Sequence, residues 1–279
     1  MITLLCADGI GGNGGPNAML QNLARPLVES GKYVSEDVMY VASIGPVNRT
    51  PSPYDFGPWL KESSQDCAQK LAAAANRVEG KVSIAGYSGG ADGASELAED
   101  MEKGEPYALG LREKVLWIVT CANPRRRRGP DAPGWGIAGE HADFPEEIEH
   151  FEIANPDDGI PCCPPYSPLR TPTDIGQDPS PQALLKRCYD GAWQTIIPKL
   201  PREFSDPLWL WRHSEELPER IKTYQWLLAE AKATKDGWLS AAWYLRGYLD
   251  PNVGAHGKQY WEKKLFDPVV EQILDMDFG

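Results

Sequence analysis

Residues 81–97 read KVSIAGYSGGADGASEL, and how this stretch is read decides the fold of the whole chain. A short apolar run at 82–85 leads into Gly86-Tyr87-Ser88-Gly89-Gly90, and a helix-like stretch follows. G-x-S-x-G between a strand and a helix is the pattern of a nucleophile elbow. There a serine stands on a sharp turn with its hydroxyl above the sheet. Side chains at Gly86 or Gly90 would collide with backbone at so tight a crossing, and Gly89 leaves its N–H to face a substrate. A chain with 27 glycines also makes ordinary βα turns of this composition. The strand before and the helix after favour the nucleophile.

Working outward, strands and helices alternate. Residues 2–6 form a continuous apolar run, as expected of a parallel strand buried on both faces. A glycine-rich loop at 7–15 follows, then helical spacing from Pro16 to a stop at Gly31. The glycines at 9, 11, 12 and 14 do not give G-x-G-x-x-G running straight into a helix. No acidic residue ends a clear second strand, so a dinucleotide loop is the weaker reading. Residues 38–42 are the expected second strand, 45–58 a long loop, and 63–78 an alanine-rich helix ending at Gly80. The helix after Ser88 should reach about residue 103. Residues 115–121 are the next buried strand, ending in Ala122-Asn123-Pro124 and four arginines at 125–128. A further strand at 151–154 ends in Asn155-Pro156-Asp157-Asp158-Gly159.

This alternation predicts an α/β protein with a doubly wound, mostly parallel sheet, whose ligands bind at the carboxyl ends of the strands. The glycine loop, Ser88, the arginines and the aspartate pair all fall there. Residues 1–160 are the expected core. From 161 to 250 a proline-rich stretch and then helical patterns predict a cap or linker insertion. Seven of the ten tryptophans stand in it or just after it. They read as the packed interior of a helical layer, or as an apolar cap over a greasy pocket. Residues 251–279 should return to the core, with a last helix over about 259–276.

A serine nucleophile needs a base, and the base a carboxylate to orient it. His141 and His150 precede the candidate acids and break the chain order serine, acid, histidine. His213 stands in the expected insertion beside Trp211 and Arg212, where a structural role fits better. His256 lies among small residues in a loop before the last helix, from which an imidazole can reach a site. Asp157 and Asp158 compete as the acid, and Asp158 is preferred.

Net charge is −12, with 42% hydrophobic and 24% charged residues. An acidic surface repels phosphate backbones, so no nucleic-acid partner is expected. No apolar run approaches a membrane span, and the start, MITLLC, has no signal-peptide character. The six cysteines show no metal-ligand spacing. Cys6 and Cys121 read as buried thiols, and Cys162, Cys163 and Cys188, which could form one disulfide, are expected reduced.

Together these motifs resemble the phage lysin B family, mycolylarabinogalactan esterases related to cutinases. The residues that carry the resemblance are Gly9-Ile10-Gly11, the run AMLQNL at 18–23 with Asn17 before it, and Gly86-Tyr87-Ser88-Gly89-Gly90-Ala91. Ala122-Asn123-Pro124-Arg125, Asp158, and Ala255-His256 before the terminal helix continue it. The helical insertion between acid and histidine is similar to that family's linker domain. Two departures stand out: the family has glutamine where this chain has Gly89, and glycine where it has Asp157. The resemblance implies a cutinase-like α/β-hydrolase with Ser88, His256 and Asp158 as catalytic residues. It implies the backbone N–H groups of Ile10 and Gly89 as the oxyanion hole. No metal or cofactor is expected. The implied substrate is the ester joining mycolic acids to arabinogalactan, with other lipid esters as the alternative and a dead hydrolase fold serving a structural or carbohydrate-binding role as a third reading. The four arginines at 125–128 read first as a solvated charged turn. Contact with the sugar or an anionic envelope lipid is the other reading, Arg125 alone being part of the resemblance. Trp238 and Trp243 of the cap could hold the acyl chain. Synthesis in a host cytoplasm, then action at the host envelope after release, completes the expectation.

Overall fold

The computed structural model describes residues 1–10, 18–44, 57–130, 132, 134–163 and 255–277. Its centre is β3 (Val82–Tyr87), buried along its whole length, as a strand covered by helices on both faces must be. β1 (Ile2–Ala7) and β4 (Val115–Cys121) flank it in parallel, with Leu5 opposite Ile84 and Gly86 opposite Thr120. β2 (Tyr33–Asp37) and β5 (Glu149–Ile153) form the edges, giving the order β2-β1-β3-β4-β5, every pair parallel. The winding reverses between β1 and β3. A crevice opens at such a switch point, outside the carboxyl ends of the strands. The segments leaving β1 and β3 carry Ile10 and Ser88 there.

Successive side chains of a strand point to opposite faces, which divides the core in two. Leu5, Ile84 and Ile118 pack with Leu71, Ala75, Leu97 and Ala98, from α2 (Leu60–Arg77) and α3 (Gly89–Lys103). Leu4, Ala85, Trp117 and Val119 pack with Leu23 and Leu27 of α1 (Gln21–Glu29), and with Phe266, Val270 and Ile273 near the end of the chain. The sheet is thus covered on both sides, the doubly wound, parallel α/β architecture expected. The predicted insertion at 161–250, apart from residues 161–163, lies outside the described residues. So do Trp238, Trp243, His213, Cys188 and the glycine loop at 11–15. No helix among the described residues is long and apolar enough to cross a membrane.

Two elements differ from expectation, each for a local reason. The second strand is not 38–42 but β2 (Tyr33–Asp37), which starts two residues after the left-handed Gly31 closes α1. Residues 38–42 keep a strand's alternation, with Val38, Tyr40 and Ala42 buried and Met39 and Val41 exposed. The Val38 N–H still donates to the Cys6 carbonyl of β1 at 2.7 Å, but beyond it the segment turns to α2. The Val41 N–H donates to Asp66 Oδ2 at 2.8 Å, and the Ser63 hydroxyl donates to the Val41 carbonyl. The single last helix is two: α4 (Lys258–Glu262) and α5 (Asp267–Asp275). Pro268 stands in the first turn of α5, where its missing N–H costs nothing, but its ring excludes a helix continuing from the preceding turn. Lys264, at φ 53°, makes the break.

Candidate active site

Ser88 leaves β3 with φ 53° and ψ −116°, a conformation that costs a non-glycine residue about 1–3 kcal/mol. Its surroundings fix it there: the Ser88 N–H donates to the Cys121 carbonyl at 2.8 Å, and its carbonyl accepts from the Asp92 N–H at 3.1 Å. The glycines on either side are sterically required. A Cβ at Gly86 would stand 2.6 Å from the backbone N of Ala91, and one at Gly90 would stand 2.5 Å from the Ala7 carbonyl carbon. The elbow therefore clears both the helix it enters and the strand beside it.

His256 closes on this serine from the loop before α4. Its Nε2 lies 2.9 Å from Ser88 Oγ, and its Nδ1 lies 2.7 Å from Asp158 Oδ2. A carboxylate only accepts, so the proton belongs on Nδ1 and the Nε2 lone pair faces the serine hydroxyl. Asp158 is wholly buried and His256 nearly so. The burial is compensated by donors: Asp158 Oδ2 also accepts from the Tyr260 hydroxyl at 2.8 Å, and Oδ1 from the Ile160 N–H at 2.9 Å. Asp157 points elsewhere. Its exposed carboxylate pairs with Lys263 at 2.7 Å.

Three positioning residues of this site are ones that the sequence did not single out. Tyr87, the residue before Ser88, stacks on the His256 ring at 5.3 Å and donates its hydroxyl to the His256 carbonyl. Tyr260 supports the acid from α4. Asn155 is fully buried and ties the acid loop to the histidine loop. Its Nδ2 donates to the Ala255 carbonyl at 2.8 Å, and its own N–H donates to the Tyr260 hydroxyl at 3.1 Å. Burial pushes both tyrosines well above the usual phenol range, with Asp158's charge adding to it, so each keeps its donor proton. The available signal was weak: an asparagine directly after a strand, and a tyrosine four residues past the histidine.

The expected oxyanion residues stand together. Gly89 opens α3, so its N–H has no carbonyl one turn earlier in the helix to accept it. Ile10 packs against it: a Cβ at 89 would come within 2.6 Å of Ile10 Cδ1 and 3.0 Å of the Tyr40 hydroxyl. Glycine at 89 follows from that crowding. The family's glutamine would need Ile10 to move.

Arg125 fits neither a solvated turn nor a sugar contact, because its guanidinium is spent on α3. It bonds Asp92, Glu96 at 3.0 Å and Glu99 at 3.0 Å, and its side chain is 17% exposed. Those carboxylates stand at helical spacings of four and three, one face of α3, which is the signal sequence reading passed over. Burial works against the guanidinium's charge, but the three carboxylates outweigh it and raise its pKa. Arg126 is also buried, donating to the carbonyls of Pro161 at 2.7 Å and Gly134 at 2.8 Å. Only Arg127 and Arg128 match the solvated turn, Arg128 lying over Trp135. Replacing Arg125 by methionine leaves three carboxylates without their cation. It should cost about 3 kcal/mol and roughly 6–12 °C in melting temperature, with KM for an aryl ester unchanged. A raised KM at unchanged melting temperature would return Arg125 to the substrate.

Cys6, Cys67, Cys121 and Cys162 are buried thiols. Burial pushes the Cys162 thiol up to about 11, so it is no thiolate. Among the described residues one group has metal-ligand geometry: His141, His150 and Glu152. Burial, with His141 and Arg127 nearby, pushes His150 down to about 3 and keeps it neutral.

No protein-family model matches the chain, and no curated protein matches it. Among solved structures it is similar to the catalytic core domain of acetyl xylan esterase from Trichoderma reesei. That match is 18% identical and covers 66% of this chain and 95% of that one, at TM-score 0.45. Lysin B from mycobacteriophage D29 matches at 16% identity, covering 58% of this chain and 67% of that one, at TM-score 0.42. A cutinase-like protein from Cryptococcus sp. matches at 13% identity, covering 63% and 88%, at TM-score 0.42.

Proposed function

We propose that the chain is a serine esterase working through an acyl-enzyme. The observation that carries this is the unbroken line from Ser88 Oγ through the His256 ring to Asp158, at 2.9 and 2.7 Å. His256 Nε2 takes the hydroxyl proton as Ser88 Oγ attacks the ester carbonyl, and Asp158 stabilises the imidazolium that forms. The oxyanion of the tetrahedral intermediate is received by the N–H groups of Gly89 and Ile10, each such donor being worth roughly 10²–10³ in rate. The imidazolium then protonates the leaving alkoxide, and the acyl group stays on Ser88. Water, activated by the same histidine, attacks the acyl-serine and releases the acid.

The substrate in this proposal is the ester between mycolic acids and arabinogalactan, hydrolysed at a host envelope during phage lysis. What supports it is the family resemblance of the motifs around Ile10, Ser88, Asp158 and His256. Trp238 and Trp243 are the proposed acyl-chain contacts. The test pairs two substrates. Cleavage of p-nitrophenyl butyrate together with release of free mycolic acids from purified mycolyl-arabinogalactan is the expected result. Cleavage of the aryl ester alone makes the protein a cutinase-like esterase of other lipids. Cleavage of neither rejects the hydrolase.

A further inference from the structure

A second group of chemistry-bearing side chains shares no residue with the Ser88 site. β5 sets His150 and Glu152 on one face, two residues apart, and the loop before it brings in His141. One ring nitrogen of each histidine and one carboxylate oxygen of Glu152 all lie within 4.8 Å of one another. His141 is 4% exposed, and its Nδ1 stands 2.7 Å from the Ala142 carbonyl. A carbonyl only accepts, so Nδ1 carries the proton and Nε2 of the neutral ring presents a lone pair. That Nε2 and Glu152 Oε1 are both buried without a hydrogen-bond partner, 3.5 Å apart.

Two buried lone-pair atoms that face each other repel unless positive charge lies between them. A proton on Nε2 is one source and a metal ion the other. An imidazolium–carboxylate bond closes to about 2.7–2.9 Å. Two ligands of a tetrahedral ion, each about 2.0–2.1 Å from it, stand about 3.3–3.4 Å apart. The observed 3.5 Å is longer than the imidazolium–carboxylate bond and close to the separation of a ligand pair. The three atoms, within 4.8 Å of one another, leave room for an ion to draw them in. We propose that His141, His150 and Glu152 bind a divalent transition-metal ion of the zinc type. Two imidazoles and one carboxylate suit such an ion, whereas calcium and magnesium take oxygen ligands. Thr120 Oγ1, 2.8 Å from His150 Nε2, is the kind of outer contact that orients a ligating imidazole. Phe144 stacks on His150 at 3.9 Å and lies tilted against His141 at 4.8 Å, an apolar wall beside both rings. The ion's role is structural. It clamps the His141 loop to the edge strand β5, which runs on into Asn155 and Asp158.

The experiment uses the full chain, stripped by a chelator and titrated with Co²⁺. The expected result is the visible absorption of a tetrahedral site, saturating at one equivalent and displaced by Zn²⁺. His141→Gln and Glu152→Gln, checked for native near-ultraviolet circular dichroism, should each lose that absorption. Zn²⁺ at a hundredfold excess over its Kd should raise the wild-type melting temperature by on the order of 5 °C and leave both variants unmoved. Wild-type protein without the absorption, or variants that retain it, overturns the proposal. If neither variant folds, the imidazole ¹⁵N shifts of His141 and His150 in the wild type decide. One equivalent of Zn²⁺ moves both if they are ligands, and unmoved shifts reject the site.

Discussion

Replacing Ser88 by alanine is expected to lower kcat for aryl-ester hydrolysis by on the order of 10⁴–10⁶-fold, with the fold intact. The size follows from what remains. Without Oγ no acyl-enzyme forms, and what is left is water attacking an ester held by the Gly89 and Ile10 donors. That arrangement retains a rate above solution but far below the wild type. Stability should change little. Alanine inherits the φ of 53° that serine already bears, and the bonds that enforce the turn, to Cys121 and Asp92, are backbone bonds. What is lost is one hydrogen bond to His256, worth about 1 kcal/mol. The measurements are steady-state kinetics and thermal denaturation on one preparation. Activity within tenfold of wild type at an unchanged melting temperature would remove Ser88 from the mechanism.

Sequence could be read furthest where a residue's role depends on its own place along the chain. Ser88, Asp158 and His256 each follow an element visible as a strand or precede one visible as a helix. Chain order alone sorted His256 from His141 and His150. The glycines at 86 and 90 were legible for the same reason, since their constraint comes from backbone a few residues away or from the neighbouring strand. Asn155, Tyr87 and Tyr260 were not legible. Each acts across about a hundred residues or more: Asn155 on Ala255, Tyr87 on His256, Tyr260 on Asp158. No spacing encodes such a contact. Arg125 was misread differently. A run of four arginines suggests a solvated surface, yet the turn at Ala122 (φ 54°) delivers the first of them onto the carboxylate face of α3. The proposed metal-ligand trio escaped because its two histidines read only as candidate bases.

The two adjacent aspartates give the sharpest comparison, because they differ in environment and hardly at all in sequence position. Asp158→Asn should lower kcat by about 10⁴-fold. An amide in place of the carboxylate can donate to His256 Nδ1, which moves the ring proton to Nε2 and leaves no lone pair for the Ser88 hydroxyl. The same change removes the charge that stabilises the imidazolium, from a carboxylate with no solvent to substitute for it. Its other bonds make the substitution costly to stability as well, since the Tyr260 hydroxyl and the Ile160 N–H both donate to it. An asparagine side chain that turns its one oxygen to either of these donors leaves the other without an acceptor. Asp157→Asn should leave kcat within about twofold. Its side chain is 69% exposed and paired with a half-exposed Lys263, and such surface pairs are worth about 0–1 kcal/mol. The pair of variants, compared by kcat on one aryl ester, decides which carboxylate orients the histidine. A crippled Asp157→Asn beside an active Asp158→Asn would mean that the imidazole leaves Asp158 during turnover and works against Asp157.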